Sequence, residues 1–204
     1  MSAAGGASPV GGLTAIYHPN LIPELHSRSK PEVQRWTQLV RPIADFPSPG
    51  VTFRDITPLV RDPDALSEVV DALAGQFRPG DIDAVAAIES RGFIFGAPLA
   101  FELEAGFIPI RKLGKLPAPT IRREYALEYG SGSLEMHRDA LRPGDRILLV
   151  DDVLATGGTA RAAVEMIEEL GGHLVEVVFV IELLELGGRS RLPESCPVRA
   201  LTEF

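Results

Sequence analysis

The feature that most constrains the fold is one continuous stretch in the second half of the chain, residues 147–159. Its sequence is ILLVDDVLATGGT. The apolar start predicts a buried strand, which ends in the acid pair Asp151 and Asp152 and is followed by a glycine-containing turn and a helix. In an open α/β sheet, ligands bind at the carboxyl ends of the strands. The stretch therefore predicts both an α/β fold and a ligand site beside the acid pair.

The turn after the acid pair has the composition of a phosphate-binding loop. Its glycines allow successive backbone N–H groups to point inward, and the start of the next helix adds free N–H groups and the positive end of a dipole. Two threonines add hydroxyl donors. These groups suit a phosphate monoester, and the candidate ligands are Ala155, Thr156, Gly157, Gly158 and Thr159.

Asp151 and Asp152 cannot hold that phosphate themselves, because like charges repel. Carboxylates accept hydrogen bonds, so the pair suits a ribose diol or a metal ion beside the phosphate. A phosphate next to a diol is a ribose 5-phosphate. The competing interpretation is an ordinary strand–helix turn in which Asp152 only caps the helix.

Short apolar strands and helical segments alternate along the rest of the chain. Strands are predicted over Asp83–Ile88, Phe107–Ile110, Arg146–Val150 and His173–Ile181, with a short strand inside the proline-rich segment Phe46–Asp55. Helices are predicted over Pro31–Ile43, from Pro63 to about Phe77 with Asp62 as the cap, and over Gly92–Ala105 and Thr159–Leu170. This alternation predicts an α/β fold with a mostly parallel sheet.

Cationic side chains follow two of the predicted strands. Parallel strands end at the same edge of a sheet, so these cations are expected near the acid pair. They suit a ligand with several negative charges, which needs several donors and a divalent cation to balance its charge. The alternative for the second cluster is a solvated charge run. The candidate residues are Ser90 and Arg91 after the first strand, and Arg111, Lys112 and Lys115 after the second.

The segment Lys112–Gly132, called the lid segment below, is too broken by glycine and proline to form a core element. Long ordered loops in compact domains are usually functional, and a lid that excludes water would protect an oxocarbenium-like centre. Glu128 and Tyr129 lie within it. Glu128 could exchange a proton with a nucleobase or stabilise positive charge, or it could be a solvent-exposed acid.

Composition narrows the functional classes. The 204 residues carry a net charge of −8, which disfavours nonspecific nucleic-acid binding, and the length fits one domain over residues 30–204 behind a flexible extension over 1–29. The single cysteine suits a reducing compartment, and no apolar run is long enough for a membrane span. We therefore expect a cytoplasmic protein without nucleic-acid or membrane partners. The sequence also lacks a Walker-type loop, a dinucleotide glycine fingerprint, a zincin helix and a nucleophile elbow.

The stretch 150–159 resembles the 5-phosphoribosyl-1-pyrophosphate (PRPP) signature of type I phosphoribosyltransferases. Four further segments bring the resemblance closer, to the adenine phosphoribosyltransferase family, in that family's order. They are FPSPGVTFRDITP from Phe46, ESRGFIFG from Glu89, RKLGKLP from Arg111 and YALEYG from Tyr125. The resemblance covers about Pro31 to Leu186. Its departures are the long start, Met1–Ser29, and the charged stretch Ile121–Glu124, which leaves the contacts of the lid open.

The resemblance implies a type I phosphoribosyltransferase fold: a mostly parallel sheet flanked by helices, a small N-terminal hood and a flexible lid loop. It implies a homodimeric, Mg²⁺-dependent enzyme of purine salvage that joins adenine to PRPP and releases AMP and pyrophosphate. Pyrophosphate and ribose oxygens would be the main ligands of the metal, and Asp151 or Asp152 could be a further ligand.

The same resemblance implies a role for each matching residue. Phe53 and Val153 would stack on adenine, and Arg54 and the backbone near Thr52 would meet its edge. Glu128 would be the acid/base residue, with Tyr129 beside it. Asp151 and Asp152 would hold the ribose, and Ala155 to Thr159 the 5-phosphate. Arg91, Arg111, Lys112 and Lys115 would serve the pyrophosphate.

Two alternatives stay open. The same chemistry could act on hypoxanthine, guanine or orotate, whose carbonyl oxygens would call for a fixed donor at the base edge, and Arg54 is the nearby candidate. The chain could also be a non-catalytic PRPP-binding regulator of transcription. That alternative is disfavoured by the acidic charge and by the lack of a basic two-helix unit in the first 45 residues.

Overall fold

The computed structural model describes residues 35–126 and 131–204. Two antiparallel strands, β1 (Arg41–Ile43) and β2 (Phe53–Asp55), form a small separate sheet, called the hood below. The helices are α1 (Thr57–Arg61), α2 (Pro63–Ala74), α3 (Gly92–Glu102) and α4 (Gly158–Glu169). The main sheet contains β3 (Ala84–Ile88), β4 (Gly106–Lys112), β5 (Thr120–Ala126), β6 (Ser131–His137), β7 (Arg146–Leu154), β8 (His173–Glu182) and β9 (Val198–Glu203).

The main sheet has the strand order β5-β6-β4-β3-β7-β8-β9. Strands β4, β3, β7, β8 and β9 run parallel to one another, and the β5–β6 hairpin adds an antiparallel edge beside β4. Side chains of β7 alternate between the two faces: Ile147 and Leu149 pack in the cluster that includes α4, and Leu148 and Val150 pack in the cluster that includes α2 and α3. Two buried layers around one sheet confirm the predicted α/β class.

Capping and close packing fix the helices that flank the sheet. The Asp62 carboxylate accepts hydrogen bonds from the backbone N–H groups of Asp64 and Ala65, and Pro63 occupies the first turn of α2. In α3, a Cβ at Gly96 would lie 2.5 Å from the Cβ of Ala87, so glycine there lets the helix lie directly on β3. Among the described residues, none of the helices is long and apolar enough to cross a membrane.

Several predicted boundaries differ from the structure. Within the described residues, Arg35–Leu39 forms a 3₁₀ helix and Arg41–Ile43 a strand, so the helix predicted over Pro31–Ile43 is wrong at its C-terminal end. Pro42 lacks the N–H that a continuing helix would need. Helix α2 ends at Ala74 because Gly75 has a φ of +56°, three residues before the predicted end at Phe77. Strands β4 and β7 are longer than predicted, and their last residues carry site side chains.

The prediction that the lid segment has no regular core element is wrong for its described part. Residues 120–126 and those from 131 onward form the β5–β6 hairpin, and Ile121, Leu134 and Met136 are buried in the main core. The segment's prolines and Gly114 lie before β5, so they do not interrupt either strand. Glu128 and Tyr129 lie outside the described residues.

Candidate active site

A cavity of about 270 Å³ opens at the carboxyl ends of β3, β4 and β7. It brings together residues that the sequence predicted from three separate segments. Tyr125 of β5 also lines it. The predicted site residues that line the cavity are Ser90, Arg91, Lys112, Asp151, Asp152, Val153, Ala155, Thr156, Gly157 and Thr159.

The turn that closes one end of the cavity is held by glycine-to-glycine packing. Gly157 has a φ of +79°, in the left-handed region that glycine adopts readily, and its carbonyl accepts the N–H of Arg161 in the first turn of α4. A Cβ at Gly157 would collide with the carbonyl oxygen of Gly188, and a Cβ at Gly188 would collide with that of Ala155. The turn residues 155–159 are therefore fixed from behind by the turn that contains Gly188.

The acid pair lies beside this turn. Asp152 is 3% exposed, and its Oδ2 lies 2.7 Å from Nε of Arg91. That contact is an ion pair without hydrogen-bond alignment, and Oδ2 has no hydrogen-bond donor among the described residues. Asp151 Oδ1 accepts the N–H of Asp152 at 2.9 Å. The pair thus keeps an acceptor oxygen suited to a ligand hydroxyl.

Burial and mutual repulsion make this pair reluctant to ionise fully. Burial raises the pKa of Asp151 well above its ordinary value, and the charge of Asp152 raises it further. Burial also raises the pKa of Asp152, although the Arg91 guanidinium opposes that shift. The pair therefore ionises less readily than two separate carboxylates, and ligand hydroxyls or a cation would favour its ionised form.

Gly92 lies beside the acid pair, in a position where the structure leaves no room for a side chain. A Cβ at Gly92 would lie 2.9 Å from Oδ1 of Asp151 and 3.1 Å from the carbonyl oxygen of Val150. In the structure, the close neighbour is the carboxylate of Asp151.

The end of β4 and the residues after it, 111–116, are called the cationic segment below. The carboxylate of Glu89, which follows β3, accepts hydrogen bonds from this segment. Glu89 Oε2 accepts the N–H of Lys112 at 3.0 Å and Nε of Arg111 at 3.1 Å. Burial favours the neutral form of Glu89, but the Lys112 N–H and the Arg111 guanidinium outweigh it, so the pKa lies below its ordinary value. Arg111 also donates to the carbonyl of Lys115 at 3.2 Å. These contacts bring the predicted cations Arg111, Lys112 and Lys115 into one segment.

The hood contacts the site through Arg91. Its guanidinium carbon lies 5.3 Å from the centre of the Phe53 ring, and the Phe46 ring meets Phe53 edge-on at 5.3 Å. The guanidinium of Arg54 lies 4.1 Å from the ring centre of Phe204, beyond the segment covered by the family resemblance. The structure therefore places Phe53 beside the cavity's Arg91, whereas Arg54 packs on an aromatic ring. Thr52 is an exposed residue just before β2.

Sequence reasoning missed several residues that shape this site. Glu89 was part of a quoted motif without a role, and Tyr125 lines the cavity from the hairpin. Glu135 and Gly188 are distant in sequence from the segments they support. No local pattern marks Glu135, because a polar residue between Leu134 and Met136 is what a half-exposed strand would also show.

The chemistry of the donor set limits how a metal ion could be held. Within residues 35–126 and 131–204, no three His, Cys, Asp or Glu side chains are grouped closely enough to hold a metal ion. The acid pair offers carboxylate oxygens, which suit Mg²⁺. The residues present therefore fit a cation that takes most of its ligands from a bound substrate and one or two from Asp151 or Asp152.

A parallel sheet whose central strand ends in an acid pair and a glycine turn, opposite cations, is the architecture of a phosphoribosyl transferase domain. The family model of that domain matches residues 60–201. The adenine phosphoribosyltransferase of Acidothermus cellulolyticus is 56% identical over 162 residues, which cover 79% of this chain and 91% of that protein.

Solved structures agree in fold. The crystal structure of adenine phosphoribosyltransferase from Rhodothermus marinus has a TM-score of 0.78 at 48% identity, covering 83% of this chain and 96% of that one. The Saccharomyces cerevisiae enzyme, complexed with an imino-altritol bisphosphate and adenine, has a TM-score of 0.78 at 41% identity, covering 82% and 97%. The chain belongs to the adenine phosphoribosyltransferase family.

Proposed function

We propose that this chain transfers the 5-phosphoribosyl group of PRPP to adenine and releases AMP and pyrophosphate. The observation that carries the proposal is the convergence of the Gly157 turn, the acid pair and the cations Arg91 and Lys112 around one cavity. Family membership and the 56% identity to an adenine phosphoribosyltransferase support the same reaction.

Binding assigns one part of PRPP to each part of the cavity. The turn residues 155–159 accept the 5-phosphate through backbone N–H groups and the threonine hydroxyls. The ribose hydroxyls donate to Asp151 and Asp152, including Oδ2 of Asp152, which has an ion pair with Arg91 but no hydrogen-bond donor among the described residues. Arg91, Lys112 and the neighbouring Arg111 and Lys115 face the pyrophosphate.

In the transfer step, the bond between C1 of the ribose and the pyrophosphate oxygen breaks while a bond forms from C1 to N9 of adenine. The electron pair leaves with the pyrophosphate, and the proton of N9 is lost. The cations of the site stabilise the leaving charge, since fixed donors act strongly where charge develops. When bound, Mg²⁺ supplies further charge neutralisation for the pyrophosphate oxygens.

Arg91 links the binding of the ribose to the binding of the pyrophosphate. It pairs with Asp152 at 2.7 Å and lies 5.3 Å from the Phe53 ring centre. A ribose hydroxyl that takes the Asp152 oxygen frees the guanidinium for the incoming pyrophosphate. Phe53 then remains available to stack on adenine, with Val153 of the cavity wall on the opposite side and Arg54 and Thr52 toward the base edge.

Proton transfer and lid closure are assigned to Glu128, with Tyr129 beside it. The two strands that flank these residues in sequence, β5 and β6, are described, and Tyr125 near the end of β5 lines the cavity. Arg123 of β5 pairs with Glu165 and Glu169 of α4. The charged stretch Ile121–Glu124 thus anchors the hairpin to the helix that begins at the phosphate-binding turn.

The assembly and cellular setting are part of the proposal. We assign a homodimer because α3 and β4 expose apolar surface: Phe101 is 87% exposed, and Phe107, which stacks edge-on with Phe93, is 39% exposed. Light scattering should give about twice the chain mass of 22.0 kDa. We also assign residues 30–204 to one catalytic domain behind an extension over 1–29. The free thiol of Cys196 is compatible with the reducing conditions of the cytoplasm.

The direct test is transfer of label from adenine into AMP in the presence of PRPP and Mg²⁺. Parallel reactions contain hypoxanthine, guanine or orotate at equal concentration, and the same mixtures without PRPP are the blanks. AMP formation with a preference for adenine supports the proposal. Preferential use of another base contradicts the base assignment, and PRPP binding without turnover of any base would favour a non-catalytic regulator.

A further inference from the structure

Glu135 is a buried acid that the reaction described above does not use. Its residue is 2% exposed, and it lies in the middle of β6. A buried carboxylate is costly unless hydrogen bonds satisfy its oxygens. The contacts of Glu135 therefore indicate what it stabilises.

These contacts are backbone N–H groups of the cationic segment. Oε1 of Glu135 accepts the N–H of Lys115 at 2.7 Å and the N–H of Leu116 at 2.8 Å. Burial alone would favour the neutral acid, but these two groups, the N–H of Gly114 and the charge of Arg122 hold the pKa of Glu135 below its ordinary value. The carboxylate is thus ionised, and its Oε1 accepts two successive backbone N–H groups of the turn.

The rest of β6 holds the same segment. Lys112 pairs in register with Leu134, and the N–H of Leu113 donates to the carbonyl of Ser133 at 3.2 Å. The turn between these contacts and β5 contains Gly114, whose φ is +80°. The Glu135 carboxylate is the acceptor on β6 for the N–H groups of Lys115 and Leu116 in this turn.

We propose that Glu135 is a positioning residue for the pyrophosphate half of the site, because its carboxylate fixes the backbone turn that carries Lys115. The proposal rests on the proposed function, since it assigns the partner of that turn as the pyrophosphate group of PRPP. Glu135 touches the backbone of the segment and acts on the ligand through Lys115.

The sign of the effect distinguishes positioning from simple electrostatics. A negative charge near a site for a polyanion would weaken binding if it acted through charge alone, so its removal would tighten PRPP binding. A positioning role predicts the opposite sign. Loss of the acceptor frees the turn, and small misplacements of binding groups are costly.

The test uses Glu135→Met, which removes the acceptors at similar length, and Glu135→Gln, which removes the charge but keeps an amide oxygen. Calorimetry measures the binding of PRPP and of inorganic pyrophosphate, each with Mg²⁺, and steady-state kinetics gives KM for adenine. We expect Glu135→Met to weaken both phosphate ligands about tenfold, with adenine KM changed less than about twofold. Glu135→Gln should weaken them about threefold, because a charge-assisted hydrogen bond is replaced by a neutral one.

Glu176→Gln is the matched control. Glu176 is also a buried carboxylate on a sheet strand, but it accepts from Arg199, which caps the end of α2 through the carbonyls of Ala72 and Leu73. We expect a lower melting temperature for this variant and no difference between its effects on PRPP and adenine.

Each outcome decides the proposal. Tighter or unchanged PRPP binding in both Glu135 variants would overturn it, and so would equal weakening of PRPP and adenine. If Glu135→Met does not fold, the direction of the shift in Glu135→Gln decides between positioning and charge alone. Failure of the proposed function is seen separately, as a wild-type protein that binds pyrophosphate but does not convert adenine to AMP.

Discussion

The two regions of this site that we propose to bind anions are held in place by different means. The phosphate-binding turn, residues 155–159, is fixed by backbone packed directly on backbone, where Gly157 meets Gly188. The cationic segment, residues 111–116, is fixed by carboxylates of Glu89 and Glu135, which accept its N–H groups. The first region tolerates no added atom, whereas the second depends on charge and hydrogen bonding.

This difference teaches where each region should be sensitive. A steric change at the turn displaces the binding N–H groups themselves, so its effect on the ligand is large and has no rescue by a conservative residue. A change at the carboxylates loosens the segment in steps, because an amide can replace part of a carboxylate's acceptor role. Four substitutions examine that contrast, from the largest expected effect to the smallest.

Gly157→Ala should have the largest effect. The substitution adds a Cβ that collides with the Gly188 carbonyl at a φ of +79°. We expect kcat/KM for PRPP to fall about 10²-fold, since the phosphate ligands move. The measurement is steady-state kinetics with varied PRPP.

Gly144→Ala is its control, because Gly144 has a φ of +89° and open space around the added Cβ. It should lose about 1 kcal/mol of stability from backbone strain and retain its kinetics. If both variants lost activity equally, backbone strain in general, and not the contact with Gly188, would explain the turn's sensitivity.

Asp151→Asn should weaken ribose binding and yet stabilise the empty protein at neutral pH. The asparagine oxygen can still accept the Asp152 N–H, but the reluctantly ionised acid is gone. Because the pKa of Asp151 is raised in the folded state, the wild-type protein loses stability as pH rises above the ordinary value of 3.8 through the folded-state pKa. The gain in melting temperature should therefore be greatest near pH 7.

That gain should shrink as the pH falls toward 4. Thermal unfolding of both proteins across this range measures it, with AMP binding measured beside it. A melting temperature lower than wild type at pH 7 would contradict the assigned burial cost. Unchanged AMP affinity would contradict the ribose role.

Glu89→Gln should have an intermediate effect confined to the pyrophosphate half. The amide can still accept the Lys112 N–H, but the ion pair with Arg111 at 3.1 Å is lost. We expect KM for PRPP to rise about threefold to tenfold and KM for adenine to stay within about twofold. Equal changes in both constants would show that Glu89 supports the whole cavity and not this segment.

Asp83 lies at the opposite end of the strands from the cavity, so Asp83→Asn should have the smallest effect. Asp83 precedes β3 and pairs with Arg146, whose side-chain and backbone hydrogen bonds lower its pKa to about 2. A lowered pKa contributes stability that is present above the ordinary value of 3.8 and is lost as pH falls through about 2.

The variant should therefore be slightly less stable than wild type at pH 7, and the difference should disappear in strong acid. Its PRPP and adenine constants should not change. A change in either constant would show that the two ends of the sheet are coupled, which the separation of the regions does not predict.

The sequence predicted correctly those features whose interacting residues lie close together in the chain. The strand, acid pair and turn of residues 147–159 are contiguous, so their apolar run and glycines were sufficient to predict an α/β fold and a ligand site, and the fold is confirmed. The acceptors of Lys112 and Lys115 lie 23 and 20 residues away, just after β3 and on β6, and no local pattern joined them.

The prediction for the lid segment was wrong for a related reason. The glycines and prolines of the segment predicted no core element, but the burial of Ile121, and of Leu134 and Met136 just beyond the segment, stabilises the hairpin once the core of the main sheet is present. The roles of Glu128 and Tyr129 stay predictions. So do the individual ligand contacts of Phe53, Arg54 and Val153, because they depend on groups that a sequence does not position.

The most direct measurement of the central claim is a crystal structure of the protein with AMP bound. The account predicts the 5-phosphate within the turn of residues 155–159, on its N–H groups, and the ribose hydroxyls within hydrogen-bond distance of Asp151 and Asp152. Phosphate density elsewhere, with this turn empty and the acid pair still held by Arg91, would contradict it.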